Sequence, residues 1–190
     1  MELPNAPPVI IRDAASRLAE LARYYPVVSV TGPRQAGKTT LCRSTFPALP
    51  YVSLEPLDAR EYALSDPRGF LASLPNGAII DDVQRAPELF TYLQAAVDER
   101  PTPGRFILTG SQQLALTASV TQSLAGRTGL LELFPPSWEE LQRFPFAPTD
   151  LFEVLWTGAY PRIFDRRIPP HQWLADYVAT YVQRDRKSVV

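Results

Sequence analysis

The chain has one cysteine, one histidine and only two lysines among 190 residues. The single cysteine, Cys42, excludes an internal disulfide and suits a reducing compartment, so a cytoplasmic location is expected. The one histidine, His171, stands far from every other candidate residue. It therefore builds neither a His-based metal cluster nor a Ser-His-Asp constellation. No stretch approaches the ~20 apolar residues of a membrane helix. The N-terminus, Met1-Glu-Leu-Pro-Asn-Ala-Pro-Pro8, lacks the basic start and apolar run of a signal peptide. The formal charge is −1, with 19 basic and 20 acidic residues. That balance excludes a large basic field for nucleic acid or a membrane surface. Nor is there a helix-turn-helix pattern or an interleaving of aromatic and basic residues, so nucleic acid is not indicated. There is no internal repeat.

Proline is abundant, with 20 residues, and it falls mostly at element boundaries. Lysine occurs only at Lys38 and Lys187, and arginine supplies every other basic residue. Lys38 lies in the stretch that organises the chain. Val27-Val-Ser-Val-Thr31 is apolar and β-branched, as a buried strand should be. Gly32-Pro33-Arg34-Gln35-Ala36-Gly37-Lys38-Thr39-Thr40 then fits G-x-x-x-x-G-K-[ST], the phosphate-binding P-loop. Gly32 and Gly37 permit backbone conformations that let several N–H groups face one anion. Lys38 is a point charge for β- and γ-phosphates, and the Thr39 hydroxyl suits Mg²⁺. Residues from Lys38 onward read as a helix whose N-terminal dipole faces the phosphates.

The rest of the chain alternates strands and helices. A helix is expected over Arg12 to Tyr24, with strands at Val27–Thr31, Tyr51–Leu54, Ala78–Asp81, Phe106–Thr109 and Thr128–Phe134. Further helices are expected at Lys38–Thr45, from Asp66-Pro67, over Pro87–Asp98 and over Gln113–Leu124. Ser137-Trp-Glu-Glu140 matches a capping box. Such alternation implies βαβ units and a mainly parallel sheet with helices on both faces, an α/β fold. In these sheets ligands sit at the strand carboxyl ends. Gly32–Thr39, Asp81-Asp82 and Thr109–Gln112 should therefore converge on one crevice.

The acids there have expected roles. Asp81, after Ala78-Ile-Ile80, has the hydrophobic-strand-plus-acid pattern of a Walker B site and would hold Mg²⁺ opposite Thr39. Asp82 would polarise the attacking water. Ser111, in Thr109-Gly-Ser111-Gln112, would orient that water or read the γ-phosphate, or else cap the next helix. Arg127 would offset transition-state charge, from the same chain or a neighbour, or else is a surface residue. A guanine-reading Asn-Lys-x-Asp motif and a Leu-Ser-Gly-Gly-Gln signature are both missing, which argues against a GTPase and an ABC-type ATPase. A non-catalytic nucleotide-binding module is the alternative to an ATPase.

Several motifs occur together and in order: Arg34-Gln35 in the P-loop, Asp66-Pro67-x-x-Phe70-Leu71, Asp81-Asp82-Val83-Gln84-Arg85-Ala-Pro87-Glu88-Leu89, Leu108-Thr109-Gly110-Ser111-Gln112 and Ser123-Leu-Ala-Gly-Arg127. Together they resemble the prokaryotic AAA-type ATPases that carry a C-terminal domain of unknown function. Gly158-Ala-Tyr160-Pro161 and Tyr181-Val-Gln-Arg184-Asp185 resemble the start of that domain. The resemblance implies a three-layer P-loop NTPase sandwich with a five-stranded sheet in the order 5-1-4-3-2, followed by a short helical region. It implies ATP and Mg²⁺ at the residues named, an ATPase domain over 1–148 and a helical region over 149–190. A homo-oligomer or protein partner through the C-terminal helices is a further expectation. Members usually have Asp-Glu where this chain has Asp81-Asp82. They are also about twice as long, so a shortened product is expected, with Leu151, Phe152, Leu155, Trp156, Trp173 and Tyr177 forming an exposed patch.

Overall fold

The computed structural model describes residues 9–110 and 123–182. These fall into two compact units, one of Arg12–Phe134 and one of residues 9–11 with 135–182. The expected boundary was residue 148.

The first unit is α/β. Helix α1 (Ala14–Tyr24) precedes strand β1 (Val27–Thr31), which leads through the glycine loop into α2 (Lys38–Thr45). Then follow β2 (Tyr51–Ser53), α3 (Leu57–Ser65), α4 (Pro67–Ala72), β3 (Ala78–Asp81), a 3₁₀ turn (Val83–Arg85), α5 (Leu89–Glu99), β4 (Phe106–Thr109) and β5 (Thr128–Glu132). The sheet order is β2-β3-β4-β1-β5 and every pairing is parallel. This is the expected order read from the other edge.

The strand side chains show why the sheet is buried on both faces. Phe106 and Leu108 enter one apolar cluster with Phe70, Leu71, Phe90 and Leu93 of α4 and α5. Ile107, between them, enters the other cluster with Leu18, Leu21 and Leu41 of α1 and α2. Ala78 and Ile80 divide from Ile79 in the same way. A two-residue period with both sets apolar requires helices on both sides, giving three layers. Each fully buried Ile, Leu or Phe contributes about 1.5–3 kcal/mol by leaving water.

Local chemistry sets the helix ends. The Asp66 side chain accepts from the Gly69 N–H, with Pro67 at the first helical position, so α4 starts where the chain turns. That cap also separates α4 from α3, a helix the sequence pattern did not disclose. Among the described residues no helix is long and apolar enough to cross a membrane.

In the second unit, Ser137 and Glu140 form the expected reciprocal capping box at the start of α6 (Trp138–Leu141). Helices α7 (Leu151–Thr157), α8 (Pro161–Arg166) and α9 (Pro170–Tyr177) follow, and a π-helical turn ends at Val182. Leu141, Phe144, Ile163, Phe164 and Trp173 make this unit's own core. Tyr160, Trp173 and Tyr177 pack ring against ring, with centroids 4.7–5.1 Å apart. The expected six-residue exposed patch is thus corrected. Trp173 and Tyr177 are held by this cluster, while Leu151, Phe152, Leu155 and Trp156 of α7 are exposed.

Candidate functional site: a phosphate cradle above a hydroxyl-bound acid

The glycine loop is built for close approach. Gly32 has φ +138°, and a Cβ there would lie 2.1 Å from the Leu133 carbonyl oxygen. Only glycine lets β1 leave the sheet so close to the chain that follows β5. Gly37 has φ +95° and caps α2. Gln35 also adopts a left-handed backbone, φ 63°, so the loop turns sharply between Pro33 and Gly37. Ala36 is buried, whereas Arg34, Gln35 and Thr40 are exposed on its rim.

Lys38 folds over the loop, its Nζ donating to the carbonyls of Gly32 (3.0 Å) and Pro33 (2.7 Å). Burial draws this ammonium below its ordinary range, and the charges of Asp81 and Asp82 oppose that shift. From beneath, Arg12 clamps the loop. Its guanidinium donates to Ala36 O (2.9 Å) and to Phe134 O (2.8 Å).

Asp81 is the meeting point of three strands. Its carboxylate accepts from the Thr39 hydroxyl (3.0 Å), from the Tyr51 hydroxyl at the start of β2 (2.8 Å), and from Thr109 at the end of β4. The P-loop threonine, the β3 acid and the β4 terminus thus converge as the parallel-sheet rule requires. Burial and the bond to Asp81 push the Tyr51 phenol up to about 12, so it stays a donor. The Arg43 guanidinium lies over the Tyr51 ring, 4.9 Å from its centroid.

Asp82 takes a left-handed backbone, φ 56°. Its carboxylate accepts from Gln84 Nε2 (2.9 Å) and lies 3.7 Å from Arg85. Ser111 lies outside the described residues.

Arg127 is not brought to this crevice in its own chain. It precedes β5, and its carbonyl accepts from the Val27 N–H at the amino end of β1. The crevice lies at the carboxyl end, roughly 16 Å away across five residues at ~3.3 Å each. There the guanidinium makes a two-pronged pair with Asp98 of α5, at 2.5 and 2.9 Å. That pair raises the arginine and holds the Asp98 carboxyl below its usual range. Of the readings left open for Arg127, this position does not serve the one within the same chain.

The positioning roles of four residues escaped sequence reading: Arg12, Tyr51, Gln84 and Arg85. A polar residue heading an apolar strand was the available signal for Tyr51. Arg12 gave none, because an arginine at a helix start reads as solvated.

The residues present fit Mg²⁺. It takes oxygen ligands from one or two carboxylates and hydroxyls together with phosphate, and Asp81 and Thr39 supply such oxygens side by side. Among the described residues there is no group of three or more His, Cys, Asp or Glu that could form an all-protein metal cage.

A parallel sheet in this order, a glycine-lysine loop at the end of β1 and an acid at the end of β3, one strand removed from β1, define a P-loop NTPase. The chain belongs to the AAA domain family, whose profile matches residues 24–142. Uncharacterized proteins of Mycobacterium tuberculosis and Mycobacterium bovis are each 36% identical over 180 residues, 92% of this chain. The chain spans 39% of the length of these relatives. Among solved structures, it is similar to the Walker-type ATPase of Pyrococcus abyssi, with TM-score 0.55 and 17% identity over 95% of this chain and 74% of that one. It is also similar to domain III of the replication initiation protein DnaA from Thermotoga maritima, with TM-score 0.50 and 19% identity over 70% and 68% of the two chains. At such identities the likeness is one of fold.

Proposed function

We propose that this chain binds ATP with Mg²⁺ and hydrolyses it to ADP and phosphate. The observation that carries the reading is the junction at Asp81, where the P-loop Thr39 and the β4 terminus Thr109 both donate to one carboxylate. Family membership supports it.

Gly32, Pro33, Arg34, Gln35, Ala36 and Gly37 would surround the phosphates with backbone N–H groups, and the start of α2 at Lys38, Thr39 and Thr40 would add its dipole. Lys38 would exchange its two loop carbonyls for phosphate oxygens, a stronger, charge-assisted partner. Thr39 and Asp81 would hold Mg²⁺, which supplies charge neutralisation to the β- and γ-phosphates when bound. Tyr51 and Thr109 orient Asp81. Asp82 would take the proton as water attacks the γ-phosphorus and the bond to the β–γ bridging oxygen breaks. We assign the released energy to movement of an attached domain or partner.

One observation favours a second reading, a nucleotide-binding switch without turnover. Asp82 is one methylene shorter than the usual Glu and is engaged by Gln84 and Arg85. The same experiment separates the two. ATP binding and phosphate release are measured with and without Mg²⁺ in wild type, Lys38→Ala and Asp82→Asn. Hydrolysis predicts binding lost in Lys38→Ala, and binding kept with turnover down at least about a hundredfold in Asp82→Asn. Wild-type binding without turnover selects the switch, and no binding in wild type sinks both.

A further inference from the structure

The amino end of the sheet carries a second concave surface. Helices α4 and α5 form a groove of about 820 Å³, with Leu71, Ala72, Ala96 and Tyr92 along it and Arg68, Arg100 and Arg105 around it. Glu99 is the one acid lining it, against three guanidinium groups.

These arginines differ from three others on the unit. Arg17, Arg85 and Arg127 each pair with a carboxylate. The groove arginines are held by neutral groups. Arg68 sits 6.0 Å from the Tyr92 ring centroid, Arg100 donates to the Pro75 carbonyl at 3.2 Å, and Arg105 donates to the Ala96 carbonyl at 2.7 Å. Arg105 also has a buried Nε with no acceptor. Burial and the like charge of Arg100 draw Arg105 down while Glu99 opposes them, so one carboxylate faces three guanidinium groups and leaves a local positive excess. The whole chain carries only −1, so this field is local.

We propose that the groove docks an acidic amphipathic segment of a partner protein. Its carboxylates pair with Arg68 and Arg100, and its apolar side chains lie over Ala72, Ala95, Ala96 and the Tyr92 ring. Guanidinium forks match carboxylates bidentately, and an apolar strip between charged rims suits a helix lying in a groove. A bare polyanion would leave that strip uncovered. Pro75 and Arg105 precede β3 and β4, whereas Asp81 and Thr109 end them. A docked segment therefore leaves the nucleotide crevice clear, and the two sites are separable.

The test uses the full chain and a fluorescein-labelled peptide repeating Glu-Leu-Leu-Glu three times, followed by anisotropy at low salt. A peptide with Lys for every Glu is the counterpart. The expected result is saturable binding of the acidic peptide only, weakened at least about tenfold by Arg68→Glu with Arg100→Glu. Arg68→Lys with Arg100→Lys should retain most of the binding. The double Glu variant should take up the lysine peptide instead, while ATP binding is unchanged. Equal binding of both peptides, or of the acidic peptide by wild type and the double Glu variant, would overturn the proposal. So would tighter binding of an oligothymidylate that the same variant abolishes, which would make the occupant a nucleic acid. A change in the sedimentation of the chain alone in the variant would assign the groove to a second copy.

Discussion

Replacing Arg12 with Met tests how the phosphate loop is held. Methionine keeps an unbranched apolar stem of similar length, so packing is largely preserved. What is lost is a buried guanidinium, 8% exposed, that donates to Ala36 and Phe134. A hydrogen bond involving a charged group contributes about 1.5–3 kcal/mol net. The two acceptors are unequal. Ala36 is buried, so its carbonyl is left without a donor. Phe134 is 58% exposed, so water can replace the arginine there. The expected destabilisation is therefore roughly 2–3 kcal/mol, nearly all of it from the loop side. For a unit of this size, a melting temperature lower by roughly 8–12 °C follows. Because the lost contact is to the loop itself, ATP affinity should fall too, and saturating ATP should recover part of the stability by mass action. Differential scanning calorimetry with a nucleotide titration reads both quantities. Arg12→Lys, with a compact ammonium in place of a fork, should fall between the two. A melting temperature within about 2 °C of wild type, with unchanged ATP affinity, would refute the reasoning.

Three further outcomes are expected. Gly32→Ala puts a Cβ 2.1 Å from the Leu133 carbonyl at a left-handed φ, so it should cost more than about 3 kcal/mol. Gly126→Ala, also left-handed but with nothing within 4 Å, should cost only about 1 kcal/mol, and urea melts compare the two. Cys42 is buried and its thiol is pushed up to about 12, so iodoacetamide at neutral pH should label it only after unfolding; fast labelling of native protein would contradict this. Burial raises the Asp165 carboxyl above its ordinary 3.8, with Arg162 and Arg166 opposing. The native state then binds more protons than the unfolded one from that value up to the raised one, so stability falls as pH rises through the window. Asp165→Asn should therefore be more stable than wild type at neutral pH, with the gap closing below the ordinary value, and a gap independent of pH would reject the assignment.

How far the site could be read from sequence follows from the range of each interaction. The cradle is local: nine consecutive residues, an apolar strand before them and a helix after, so spacing alone identifies it. Strand ends are nearly local as well. Ala78-Ile-Ile-Asp81 and Phe106-Ile-Leu-Thr109 carry apolar runs that stop at a polar residue, and the parallel-sheet rule then brings Asp81 and Thr109 together. The place of Arg127 was not legible because the motif before it says nothing about which end of the sheet it occupies. Its position depends on β5 running parallel to β1, with Thr128 level with Val27. A residue just before a parallel strand lies at the amino edge, whereas the phosphates lie at the carboxyl edge. Arg12 failed for the opposite reason. Its two acceptors lie 24 and 122 residues away, and each is a carbonyl, a group that every residue carries. No composition or period can point to such a partner. The residues that touch phosphate are thus written in a motif, and those that hold the motif in shape are set by the fold. A loop grafted with the eight-residue motif but without an Arg12-like clamp should consequently bind ATP more weakly than this chain. Transplanting the loop with and without the clamp into a scaffold of the same sheet order would measure that difference. Equal affinity in the two grafts would show that the motif shapes itself.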